Sequence, residues 1–137
     1  MLYSIGYQKL KTVEDLVKEL QSREIKILLD VRSKPYGRKF AFNKKALEAA
    51  LPPAGIGYQW CGEHLGGFAA IADHAISKLA EWQKTRCACI MCMEADPRDC
   101  HRHTEIAERL KKHDVPVGHI LTTESPTRVW WTIQTTA

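Results

Sequence analysis

Apolar positions along this chain fall into two alternating rhythms. Short, nearly continuous runs occupy Leu2 to Ile5, Ile25 to Val31, Ile56 to Trp60, Cys87 to Met93 and Val115 to Leu121. Such runs predict strands covered on both faces, as in a parallel sheet. The run CACIMCM at Cys87 to Met93 is the most apolar and is expected at the centre. Between the runs, apolar residues recur at helical spacing. Thr12 and Asp15 form a capping-box pattern ahead of Val13, Leu16, Val17 and Leu20. Asn43 is expected to cap a second helix bearing Ala46, Leu47, Ala50 and Leu51, which Pro52 and Pro53 stop. A third helix is predicted from Phe68 to Lys84 through Ile71, Ala75, Ile76, Leu79 and Trp82, and a fourth from His101 to His113 through Ile106, Ala107 and Leu110. The glycine-rich CGEHLGG at Cys61 to Gly67 reads as a loop, and the tail 122–137, with Trp130 and Trp131, as an edge strand or a flap.

Strands separated by helices predict right-handed crossovers. The expected fold is a single α/β domain over 1–137, three-layered, with a mostly parallel sheet of about five strands and helices on both faces. In such sheets ligands sit at the carboxyl ends of the strands, near the point where strand order reverses. That rule places Gly6, Tyr7, Asp30, Arg32, Cys61, Glu63, His64, Cys92 and Glu94 on one rim, with His119 and Thr122 as further candidates.

Composition narrows the classes. At 45% hydrophobic and 26% charged residues the chain excludes a disordered or collagen-like polypeptide. No apolar stretch approaches the roughly 18 residues of a membrane span, and the N-terminus lacks a signal-peptide pattern. A cytoplasmic location without membrane partners is expected, with the five cysteines reduced. The net charge of +4 is mild, but its distribution is not even. Between Val31 and Leu47, Arg32, Lys34, Arg38, Lys39, Lys44 and Lys45 face no acidic neighbour in sequence and are interleaved with Tyr36, Phe40 and Phe42. This stretch suits a small phosphate-bearing ligand or a nucleic-acid backbone, or else a solvated loop leading into a helix.

Chemistry concentrates in Cys92-Met-Glu-Ala-Asp-Pro-Arg-Asp-Cys-His-Arg102. A buried strand delivers Cys92 to the rim and Pro97 forces a turn, so that Asp99 or Cys100 begins the next helix. Both thiols then flank one connection, where free N–H groups favour a thiolate or an anion. Cys92 is the candidate nucleophile, Glu94 the acid or base, and Cys100 with His101 a supporting pair, with Arg32, Arg38 and Arg102 as anion binders. No cofactor is predicted. Zinc or iron remains an alternative, because Cys87, Cys89, Cys92, Cys100, His101 and His103 are its ligand types. Strand alternation turns Cys87 and Cys89 away from Cys92, leaving Cys92, Cys100 and His101 or His103 as the smaller set. The spacing Cys92-x5-Arg98 matches the phosphate loop of cysteine phosphatases, but Glu94, Asp96 and Pro97 oppose anion binding there.

Several separated motifs, in order, resemble the domain of unknown function 488 family. They are Ser4-Ile-Gly-Tyr7, Asp30-Val-Arg-Ser-Lys-Pro35, Arg38 with Phe40 and Asn43, Leu65-Gly-Gly67, Cys92-x-Glu94 and Cys100-His-Arg102. The resemblance implies a compact three-layer α/β fold. It marks Asp30, Arg32, Arg38, Asn43, Gly66, Gly67, Cys92, Glu94, Cys100, His101 and Arg102 as site positions. It leaves the reaction open. Group transfer or hydrolysis on a phosphate-bearing or nucleotide-like substrate is the leading expectation, since no dinucleotide fingerprint follows the first strand. A non-catalytic nucleic-acid-binding module and a thiol-based metal or redox sensor are the rivals.

Overall fold

The computed structural model describes residues 1–68 and 70–133. Six strands form one sheet in the order β3-β2-β4-β1-β5-β6. These are β1 (Leu2–Gly6), β2 (Ile27–Asp30), β3 (Gly57–Trp60), β4 (Ala88–Cys92), β5 (Val117–Leu121) and β6 (Arg128–Trp131). The first five run parallel and β6 pairs antiparallel with β5 inside the tail. Residues 134–137 of that tail lie outside the described residues.

Helices cover both faces. The Thr12 hydroxyl accepts the Asp15 N–H and the Asp15 carboxylate accepts the Thr12 N–H, a capping box that starts α1 (Val13–Gln21). Leu16 and Leu20 of α1 and Leu47 of α2 (Lys44–Ala50) pack on Ile5, Leu28, Cys89 and Met91. On the opposite face, Ile76 and Leu79 of α4 (Asp73–Trp82) join Ile106 and Leu110 over Leu2, Leu29, Ala88 and Ile90. All five residues of β4 are buried, which is why the most apolar strand lies inside the sheet. Among the described residues no helix is long and apolar enough to cross a membrane.

Three elements differ from expectation. The segment CGEHLGG contains one helical turn, α3 (Gly62–Leu65), whose Gly62 lies too close to the Arg32 carbonyl to carry a side chain. The third helix is shorter than 68–84, beginning only at Asp73. The fourth is wound as a π-helix over Arg102–Ala107, continues as α5 (Glu108–Leu110) and tightens to a 3-10 turn at Lys111–His113. A π-turn widens the helix, and widened turns gather where side chains are drawn to a site. Here the drawn-in side chain is Arg102.

Strands β1 and β4 are neighbours, yet β1 connects to α1 on one face and β4 to the π-helix on the other. Their carboxyl ends therefore border a crevice at the topological switch point. Gly6 lets the chain leave β4 pressed against it, since a Cβ there would overlap the Glu94 carbonyl.

Candidate active site

The crevice is a cavity of about 580 Å³ at the carboxyl rim. Four connections wall it, bringing Tyr7 and Gln8 after β1, Arg32 to Lys34 and Tyr36 to Lys39 after β2, Gly67 and Phe68 after β3, and Cys92 to Glu94 with Asp99 to His101 after β4. Strand β4 ends at Cys92, and the turn Pro97–Asp99, where the Asp96 side chain accepts the Arg98 N–H, brings Cys100 back over it. The Cys92 and Cys100 sulfurs are bonded, their Cα atoms 7.6 Å apart. A Glu94 carboxylate oxygen and these two sulfurs lie within 4.8 Å of one another.

Each sulfur has its own polar partner. Arg102 Nη1 donates to Cys92 Sγ at 3.0 Å, and the Arg102 backbone N–H reaches Cys100 Sγ at 3.5 Å. His101 Nε2 lies 3.0 Å from the Val31 carbonyl and 2.8 Å from that of Leu65. Carbonyls only accept, so Nε2 carries a proton, and Nδ1 lies 3.8 Å from Cys100 Sγ.

Arg102 is fully buried, and among the described residues no carboxylate pairs with it. Nε donates to Ser4 Oγ at 3.0 Å, Nη1 also to the Glu94 carbonyl at 2.6 Å, and Nη2 to the Ala95 carbonyl at 3.3 Å. Burial pulls its pKa down to about 10, against the nearby Cys89, Glu94 and Asp96, so it remains a cation at neutral pH. The Arg102 guanidinium hydrogen-bonded to Cys92 Sγ disfavours a divalent metal on the Cys92, Glu94 and Cys100 donors, because both would be cations in one desolvated space.

Other candidates occupy different places. Asp30 and Arg32 form a buried forked pair at 2.8 and 2.7 Å, and Arg32 Nη2 also donates to the Phe42 carbonyl at 2.7 Å. Its Nε and Nη2 donors are committed to the protein, and the pair braces the basic loop. Asn43 does not cap α2 with its side chain. Its Oδ1 accepts from the Gly37 N–H at 2.7 Å and closes the same loop. Gly66 meets Ser33 Oγ where a Cβ would be, and a Cβ on Gly67 would lie 3.3 Å from His101 Nδ1. The paired glycines thus serve close packing by the protein itself, and neither has a positive φ. Arg38 and Lys34 are exposed on the cavity wall with no acceptor among the described residues, whereas Lys39 Nζ is held by the carbonyls of Gln8 and Leu10 at 2.6 and 3.0 Å.

Sequence reasoning missed the exposed Phe68 and Met93 as cavity walls, whereas Tyr36, one of the rings it placed among the basic residues, lines the same cavity. The other cysteines differ from the rim pair. Cys87 and Cys89 belong to the opposite packing layer from Cys92. Burial raises the pKa of Cys89 and of Cys87, and pushes Cys61 up to about 11, so all three remain thiols.

Neither the curated proteins nor the solved structures contain a match to this chain. The Asp30 to Pro35, Arg38 to Asn43 and Leu65 to Gly67 motifs fall within 12–74, while both cysteine motifs fall outside it. Over residues 12–74 the chain matches the model of the family described as Domain of unknown function DUF488, and this is the family it resembles.

Proposed function

We propose that the protein is a cysteine-dependent enzyme that transfers or hydrolyses a group on a nucleotide-like, phosphate-bearing substrate. One observation carries this reading. The cavity that ends at Cys92 and Cys100 has Lys34 and Arg38 on its wall and the rings of Tyr36 and Phe68, 67% and 86% exposed, beside them. Water-exposed rings beside uncommitted cations suit a base that stacks and a phosphate that needs charge.

With the Cys92–Cys100 bond reduced, Glu94 takes the Cys92 proton and the Arg102 N–H stabilises the thiolate. The thiolate attacks the electrophilic centre, an S–C or S–P bond forms, and the leaving group departs with its electron pair and the proton from Glu94. Water or an acceptor hydroxyl then attacks the bound group as Glu94 removes its proton. The bond to sulfur breaks and the thiolate returns. The test is turnover of a panel of nucleotides and short oligonucleotides by reduced wild type, Cys92→Ala and Glu94→Gln. Turnover that is lost in Cys92→Ala and slowed about 10²-fold or more in Glu94→Gln is expected. Wild-type rates in both variants exclude the mechanism.

The bonded sulfurs favour a second reading, a dithiol that reduces a partner disulfide. Two electrons and two protons leave Cys92 and Cys100 as their S–S bond forms, and the partner's two sulfurs become thiols. Intact mass in the presence and absence of a disulfide substrate decides it, through the loss of two hydrogens confined to the peptides of Cys92 and Cys100. An unchanged mass removes this reading.

A further inference from the structure

Three residues behind Arg102 have no part in the scheme above. Ser4 in β1 and His119 in β5 are direct partners in the parallel register, both fully buried, on strands that are otherwise apolar. Ser4 Oγ hydrogen-bonds His119 Nδ1 as well as Arg102 Nε. His119 Nε2 lies 3.1 Å from His103 Nδ1, and His103 Nε2 is 3.7 Å from the Glu108 carboxylate. Donor chemistry fixes one direction outright, since Arg102 can only donate and Ser4 therefore accepts from it; the Ser4 proton is then assigned to His119 Nδ1, an assignment the 15N shifts below test. His119 then holds its proton on Nε2 and donates to His103 Nδ1, which leaves His103 its proton on Nε2, facing Glu108.

We infer that Ser4, His119 and His103 form a positioning chain that holds the unpaired Arg102 guanidinium against Cys92 and thereby sets the reactivity of that thiol. The inference rests on Cys92 being the reacting thiol. A buried cation with no carboxylate is costly, and a half-satisfied polar network is worse than an apolar one. Here the chain gives Nε its acceptor while keeping both histidines neutral, so that no second cation competes with Arg102. Burial pushes His119 down to about 3 and lowers His103, with Arg102 nearby adding to the effect on each. Trp130 of the edge strand packs on both rings, at 4.7 Å from His103 and 5.2 Å from His119, and so covers the chain. That contact gives the Trp-bearing tail a role.

The groups facing Cys92 are Arg102 from the π-turn, Glu94 from its own connection, and Cys100 with His101 from the returning turn. Only Arg102 reaches the chain. The experiment is the rate of iodoacetamide alkylation of each cysteine against pH in the reduced full chain, read by peptide mass spectrometry. Ser4→Ala and His119→Phe should slow Cys92 near neutral pH by roughly tenfold, an upward shift of about one pH unit in its midpoint. Ser4→Thr, which restores the hydroxyl, should recover most of the rate, and Cys61 should keep its wild-type profile throughout. His103→Phe alters the outer, partly buried end of the chain and should give a smaller shift in the same direction. Unchanged Cys92 profiles in these variants overturn the inference, as does a parallel shift at Cys61, which signals general loosening. Should the buried variants not fold, 15N shifts of His119 in the wild-type protein decide it. A bare Nδ1 at neutral pH supports the chain and a protonated one overturns it. Alkylation needs no substrate, so the chain can fail while turnover still requires Cys92, and turnover can prove independent of Cys92 while the profiles shift.

Discussion

The same three-residue device occurs twice on the rim, as Asp30-x-Arg32 after β2 and as Asp96-x-Arg98 after β4. In both, one carboxylate oxygen accepts the arginine backbone N–H and its Nε–H, while the other takes Nη2, at 2.7 to 3.1 Å in the first and 2.8 to 3.1 Å in the second. Their surroundings differ. The Arg32 and Asp30 side chains are 8% and 0% exposed, those of Arg98 and Asp96 73% and 38%. Identical geometry therefore does two jobs. Away from water the pair holds the basic loop to the sheet, with Phe42 and Tyr58 as extra partners. In water it decorates a turn that its backbone bonds already hold.

The comparison breaks most readily at Asp30. Asp30→Ala leaves a buried guanidinium without its anion and should cost about 3–5 kcal/mol in urea denaturation at neutral pH. A loss under 1 kcal/mol would mean that water reaches Arg32 when its partner goes. Arg32→Lys keeps the charge but not the fork, so one Asp30 oxygen or the Phe42 carbonyl loses its donor. A loss of about 1–3 kcal/mol is expected, with the charge left inside. If lysine substitutes without cost, the pair is a point-charge contact and the forked geometry is incidental.

A smaller, pH-dependent effect sets Arg102 against Arg32. Arg32 is raised above its ordinary value, Asp30 outweighing the opposing burial, and stays charged at any pH the protein survives. Arg102 has no acid and depends on the neutrality of His119. The His119 pKa is lower in the folded chain, about 3, than the ordinary 6.5, so below 6.5 the unfolded chain binds more protons. That stability is complete above about pH 6.5 and is lost as pH falls toward 3, by up to about 1.4 kcal/mol per pH unit. Denaturation midpoints at pH 7 and pH 5 should diverge less in His119→Gln than in wild type. Equal slopes in the two proteins would remove His119 as the source.

What was legible in the sequence follows the same division between pattern and environment. The strands, α1 with its capping box and the central place of β4 came from local periodicity and propensity, which need no tertiary information. The gathering of Cys92, Glu94, Cys100 and His101 was legible because they sit within one connection. Burial of a polar side chain was not. Asp30 and Asp96 look alike in sequence, and only strand order shows that β2 lies inside the sheet with β3 beyond it. Ser4 and His119 left one faint mark, a polar residue in the middle of an apolar strand, but their meeting depends on a pairing between β1 and β5 across more than a hundred residues. The π-turn that carries Arg102 inward has no propensity signal.

Arg98→Ala is the smallest effect and the sharpest control. The Asp96 carboxyl is held down to about 2, chiefly by its hydrogen bond from the Arg98 side chain, which alone would suggest a strong interaction. Solvent argues otherwise. Both partners are open to water, which screens the charges and competes for the same donors, and isolated pairs of this kind add little. Removing the Arg98 side chain also leaves the turn intact, because Asp96 still accepts the residue 98 N–H, Pro97 still sets the first position, and the Cys100 N–H still reaches the Pro97 carbonyl. The variant should unfold at the wild-type urea midpoint within experimental scatter and keep its Cys92 alkylation rate. A destabilisation as large as that of Arg32→Lys would show that burial is not what separates the two clamps, and that the exposed one fastens the loop returning Cys100 to Cys92.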